Sequence, residues 1–172
     1  MNNRSQIQKQ HEHAVVNNFL AYYNRINDSR FVVDAEPEPP EAIAKAGDNY
    51  IWIEATGAYW SDEYARDLQS YANPGEKHVP VRPRIFTDMD EQLAERFVQV
   101  QKRKRSKSSY KPFFETYGSG ILLISMQCPF FNEQTRNSMR SYQDAANWDD
   151  DLGYFGAVYI ADGPNFELWL LL

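Results

Sequence analysis

Between Glu36 and Thr56 the chain reads EPEPPEAIAKAGDNYIWIEAT, and the second half of this stretch constrains the fold most. From Tyr50 to Thr56 the residues alternate as a strand. Tyr50, Trp52, Glu54 and Thr56 share one face, and Ile51, Ile53 and Ala55 share the other. Neither face is plainly polar, so the strand belongs in a sheet covered on both sides. A carboxylate in that position, Glu54, needs a partner, because an isolated buried charge is costly. The turn signal Gly47-Asp48-Asn49 implies a tight hairpin, closed at its far end by Gly57, whose first strand follows Pro39-Pro40 and begins at Glu41. The hairpin brings Glu41 and Glu54 together. Two close carboxylates repel unless a cation lies between them, which makes the pair a candidate hard-metal site. The plainer alternative is a solvated loop glutamate and a water-facing strand glutamate.

Before this hairpin, Ser5 to about Ile26 reads as a helix, with Val16, Phe19, Leu20, Tyr23 and Ile26 at helical spacing. Glu12 lies four residues before Val16, on the same stripe. His11 and His13 are two residues apart, point in different directions on a helix and make a poor metal pair. Asn27-Asp28-Ser29 ends the helix, and Phe31 to Ala35 is a short strand. After the hairpin, Ser61 caps a helix from Asp62 to about Tyr71. Asn73 to Phe86 reads as a loop that carries Lys77, His78, Arg82 and Arg84.

A second long helix is expected from Thr87, read as its cap, with Leu93, Phe97, Val100 and Gln101 as the inner stripe. That stripe continues to Lys104 and then Lys107. The segment Lys102 to Lys111, KRKRSKSSYK, holds six basic residues in ten. It reads either as a helix end whose cations complement the helix dipole, or as a phosphate-backbone contact with one inward lysine. Ile121 to Gln127, ILLISMQ, is a buried central strand. Phe131 to Ala146 is a helix, and Asn147 to Asp151 an acidic loop whose Asp149, Asp150 and Asp151 are more plausibly solvated than cation-binding. Tyr154 to Ala161 and Phe166 to Leu172 form a terminal hairpin. The order of elements predicts one mixed α/β sandwich around a single sheet.

The 172 residues favour one domain, and 42% hydrophobic with 15% aromatic content argues for a packed core. A net charge of -6 leaves no global basic footprint, so nucleic-acid contact would have to come from a local patch. A lone cysteine, Cys128, rules out an internal disulfide framework. The first residues lack the apolar core of a signal peptide and no apolar run is long enough for a membrane span, so a cytoplasmic protein without membrane contact is expected.

This order of parts resembles the PD-(D/E)XK nuclease superfamily. The residues that carry the resemblance are Glu12 on the first helix, Pro40-Glu41 in the place of Pro-Asp, Ile53-Glu54-Ala55-Thr56 in the place of Glu-x-Lys, and the later helix with the strand GILLIS. It extends roughly from Gln8 to Ser125. The resemblance implies a restriction-endonuclease-like three-layer sandwich, a central mixed β-sheet flanked by helices, here followed by a C-terminal β-hairpin. It also implies metal-dependent hydrolysis of phosphodiester bonds in nucleic acid, DNA before RNA. Glu41, Glu54 and the carbonyl of Ala55 would hold Mg²⁺ or Mn²⁺, and Glu12 would act beside them. Two positions depart from the pattern: Glu41 stands where Asp is usual, and Thr56 stands where the lysine is expected. Some members supply the cation from the next helix, a role that suits Lys104, with Lys107 or Gln101 as rivals. Arg103, Arg105 and Lys107 would contact the nucleic acid. Many such nucleases act as homodimers. With no cation in place, the same fold would serve as a nucleic-acid- or protein-binding module. A third reading has Trp60, Trp148 and the aspartate run presented to a protein partner.

Overall fold

The computed structural model describes residues 3–72, 77–82, 87–146 and 152–171. The acidic triplet Asp149–Asp151, Trp148 and Arg84 lie outside the described residues. The first helix, α1 (Asn3–Asn27), buries Val16, Phe19 and Leu20. It stops where Asp28 turns to a positive φ of 47° and Asn24 folds its side chain over the exit: its amide donates to the Phe31 carbonyl at 2.8 Å, and its oxygen accepts from the Phe31 N–H at 2.7 Å. Local side-chain bonds of this kind are how Asn competes with helix propagation.

Three antiparallel strands follow: β1 (Val32–Ala35), β2 (Ala42–Ala46) and β3 (Asn49–Tyr59). The β2–β3 turn is tight. Ala46 pairs directly with Asn49, and Gly47 takes the positive φ of 60° that such a turn demands. The hairpin does not close at Gly57 as the sequence suggests. β3 runs on through Gly57 to Tyr59, because from Ile53 onward it pairs in parallel with β4 (Gly120–Gln127), Gly57 opposite Ser125. A glycine weakens a strand interior, and here β4 lies beside it, with the partner residue Ser125 lying 68 residues further along the chain. β4 in turn pairs in parallel with β5 (Phe155–Asp162), and β5 forms the terminal antiparallel hairpin with β6 (Asn165–Leu171). Spatial order equals sequence order, β1 through β6.

Both faces of this mixed sheet are covered. On one side α1 packs Val16, Phe19 and Leu20 onto Ile53, Ala55, Ile121, Leu123 and Tyr159. On the other, α3 (Met89–Arg105) and α5 (Glu133–Ala145) cover Trp52, Leu122, Ile124 and Val158 with Leu93, Phe97 and Met139. The helix α2 (Asp62–Ala72) begins as the sequence indicates, with the Ser61 hydroxyl accepting from the Tyr64 N–H at 3.0 Å. The start of α3 differs: its N-cap is Asp88, at a positive φ of 57° and without a side-chain cap bond, and Thr87 precedes it. The end of α3 differs more. It stops at Arg105, and a 3-10 turn at Ser108–Tyr110 leads into α4 (Lys111–Tyr117). The break directs Tyr110 inward, where it stacks on Trp52 at 5.6 Å and meets Phe155 edge-on at 5.3 Å.

Trp52 is fully buried, and its indole N–H donates to the Gly118 carbonyl at 2.7 Å. Gly120, at the start of β4, lies against the face of that indole, where an added Cβ would overlap the ring. Gly120→Ala is therefore expected to lower unfolding free energy by about 1–3 kcal/mol through overpacking, read as a fall in the urea midpoint at unchanged slope. An unchanged midpoint would show that the indole can move aside.

Candidate functional site

The β2–β3 register extends from Ala42↔Ile53, so one further step sets Glu41 across from Glu54. The last backbone pair is Ala42↔Ile53. Among the described residues, β3 beyond that point is paired on its β4 side alone. The site thus sits where two strands part. Alternation along β3 turns Trp52 and Glu54 towards α3, and the helical spacing Leu93, Phe97, Gln101, Lys104 turns Lys104 back towards them.

The result is a buried ion pair. Lys104 Nζ donates to Glu54 Oε1, with Glu54 2% and Lys104 8% exposed. The other carboxylate oxygen, Glu54 Oε2, is buried without a hydrogen-bond partner, and so is the hydroxyl of Tyr110. Burial, and next the Glu54 charge, push the Tyr110 hydroxyl well above its ordinary range. Glu41 is half-buried, and its carboxyl is raised to about 7. Burial is the main cause, followed by the negative charges of Glu12 and Glu54, with Lys104 opposing. Glu12, Glu41, Glu54 and Lys104 therefore share one electrostatic neighbourhood, although they come from α1, the start of β2, β3 and α3.

Among the described residues no three His, Cys, Asp or Glu side chains converge as a ready-made ligand set. Glu12 lies at the mouth of a cleft whose lining includes Ala55 and Thr56. Thr56 carries no charge, and among the described residues Lys104 is the cation that reaches Glu54. Its two rivals do not. Gln101 is buried against α5, donating to Gln143 at 3.3 Å and accepting from Arg105 at 2.8 Å. Lys107 is off the inner stripe altogether: the helix ends before it, and it stands exposed ahead of the 3-10 turn. Arg105 is turned inward by its bond to Gln101, whereas Arg103 is exposed and borders the same cleft as Glu12. His13 pairs with Glu36 at 3.0 Å, and His78 with Asp67 at 2.7 Å.

Tyr110 escapes sequence reasoning because helical periodicity ends at Arg105, and nothing in SKSSYK announces the inward turn. Its one legible signal is a large aromatic within a polar run. The site thus belongs to a mixed α/β protein in which, among the described residues, a buried lysine pairs with a buried glutamate at a strand junction. Compared with known proteins, the chain matches no family model, no curated protein and no solved structure. No helix among the described residues is long and apolar enough to cross a membrane.

Proposed function

We propose that the protein is a metal-dependent nuclease with a restriction-endonuclease-like, PD-(D/E)XK build, hydrolysing phosphodiester bonds in nucleic acid, DNA in preference to RNA. The observation that carries this reading is the Lys104–Glu54 pair opposite Glu41, which replaces from α3 the cation that Thr56 does not provide.

The residues present fit a hard divalent cation. A buried carboxylate oxygen without a partner and a second carboxylate whose charge is disfavoured first by burial and then by neighbouring carboxylates are what such an ion relieves. Glu41, Glu54 and the Ala55 carbonyl would hold Mg²⁺ or Mn²⁺, with Glu12 adding negative charge beside them. When bound, the cation supplies positive charge that acidifies water and offsets charge at phosphorus. Lys104 places its ammonium beside the reacting phosphate and holds Glu54 in one orientation. Arg103 and Lys107, both exposed, contact the sugar–phosphate backbone.

The reading is tested by following Mg²⁺- or Mn²⁺-dependent cleavage of end-labelled DNA and RNA by wild type and Glu54→Gln. Loss of a ligand carboxylate is expected to reduce the rate by about 10²-fold or more, the scale seen when one group stabilising transition-state charge is removed. Arg103→Ala and Lys107→Ala should instead weaken binding uniformly across sequences, each lowering the salt slope by about 0.9. A second reading, a nucleic-acid-binding module without cleavage, draws on the lack of a three-carboxylate ligand set among the described residues. It requires that no substrate be cut with either metal while salt-dependent binding persists, and that result would overturn the nuclease assignment.

A further inference from the structure

The parallel strands β3 and β4 end side by side at Tyr59 and Gln127, and beyond their C-terminal ends lies a cleft of about 530 Å³. Crevices at this end of parallel strands are where α/β sheets bind ligands. Three helices wall it: α1 contributes Val15, α2 contributes Ala65 and Leu68, and α3 contributes Val100. These apolar side chains are interspersed with charged ones from the same helices, Glu12, Asp62, Arg96 and Arg103. Gln127 donates to the Ser125 hydroxyl at 2.7 Å and lies 3.4 Å from His11 Nε2, which orients its amide, and Thr56 also lines the cleft. An apolar slot with a few oriented hydrogen-bonding groups suits a flat ring with a polar edge, and its size falls within the roughly 300–1,000 Å³ of pockets for drug-sized ligands.

Two further observations narrow the ligand. Glu12 lines the cleft and also acts electrostatically on Glu41, and Ala55 and Thr56, which follow Glu54 in β3, line it too, so the cleft adjoins the acidic site. The rim carries Arg103 and Arg96, and Arg96 pairs with Asp62 at 2.9 Å, neutralising an acid that would otherwise repel phosphate. We infer that the cleft holds one unpaired nucleotide flanking the scissile bond: the base between Val15, Leu68 and Val100, its edge at Gln127 and Ser125, its phosphate towards Arg103. This inference deepens the nuclease reading and rests on it. A base stacked and paired inside a duplex offers neither a free face nor a free edge to these residues, so the substrate is single-stranded nucleic acid or a frayed end. Duplex must unstack a base first, which at the usual strength of one stacking contact disfavours it by roughly tenfold to a hundredfold.

The test separates binding from cutting. Fluorescence anisotropy with a labelled DNA 12-mer and its duplex, in EDTA, reads the cleft without catalysis. Wild type is expected to prefer the single strand by at least about tenfold. Ala65→Trp, which fills the slot from α2, should abolish that preference while leaving the residual salt-dependent affinity that Arg103 and Lys107 give. Leu68→Ala, which removes one wall without adding bulk, should weaken single-strand binding and serves if the tryptophan variant does not fold. Equal affinity for both forms, or a preference unaffected by either substitution, would overturn the inference even if Mg²⁺-dependent cleavage is found. A single-strand preference lost in Ala65→Trp, with no cleavage under Mg²⁺ or Mn²⁺, would overturn the nuclease reading and leave the nucleotide cleft standing.

Discussion

Lys104→Met is expected to destabilise the metal-free protein by about 3–5 kcal/mol, because it leaves the carboxylate of Glu54 buried with no compensating cation. Methionine keeps most of the lysine stem and its packing, so the loss reports the charge. The double substitution Glu54→Gln with Lys104→Met should recover much of that loss. A buried ion pair contributes little net stability over a neutral pair of similar shape, while half of one is strongly unfavourable. Urea unfolding of wild type, both single variants and the double variant gives the coupling directly. A Lys104→Met cost below about 1 kcal/mol would mean that solvent screens the pair as it does on a surface, and would remove Lys104 from the site. Cleavage should fall in parallel in Lys104→Met.

The second large effect is a pH dependence set by Glu41. Its carboxyl is raised from 4.5 to about 7 in the folded protein. Below pH 4.5 it is protonated in both the folded and unfolded chain, and the relative stabilisation of the protonated folded form is fully present. Between those values the unfolded chain gives up the proton while the folded chain keeps it, so stability falls as pH rises. Above about 7 both forms are charged, and the loss is complete. With allowance for partial solvent screening, the loss is on the order of 2 kcal/mol. Denaturant unfolding in EDTA from pH 5 to pH 8.5 should show this decline in wild type and a flatter profile in Glu41→Gln. Mg²⁺ or Mn²⁺ should raise wild-type stability more at pH 8 than at pH 6, with proton release seen by calorimetry in buffers of different ionisation enthalpy. A wild-type profile that rises relative to Glu41→Gln across this window would reverse the sign and place Glu41 in an environment that favours its charge.

Several parts of the site are legible in the chain because they depend on local periodicity. Period two along Tyr50–Thr56 puts Glu54 on the face of Trp52. A step of four from Val16 reaches Glu12, and a step of four from Val100 reaches Lys104. Glu54 and Lys104 are buried and meet, and Glu12 is partly buried where it lines the cleft. The same extrapolation carried one turn further to Lys107 fails, because α3 ends at Arg105 and stripe reasoning assumes that the helix continues. Gln101 sits on the inner stripe as read, but α5 claims its amide through Gln143, and no local pattern says which neighbour a buried amide will find.

What the sequence by itself determined is the set of elements and their inward faces, since helix and strand periods are properties of a few neighbouring residues: a first helix with an inward Glu12, a hairpin about Gly47-Asp48, a strand apolar on both faces, and a central strand GILLIS. Tertiary structure alone decided what those faces meet. It extended β3 past Gly57 by laying β4 beside it, turned Tyr110 onto Trp52 and drew Arg105 inward. It also half-buried Glu41 among charges that shift its proton and opened a cleft at the ends of two parallel strands. Pairing, burial and electrostatic coupling join residues tens of positions apart, and their energies depend on distances that no short window of sequence contains.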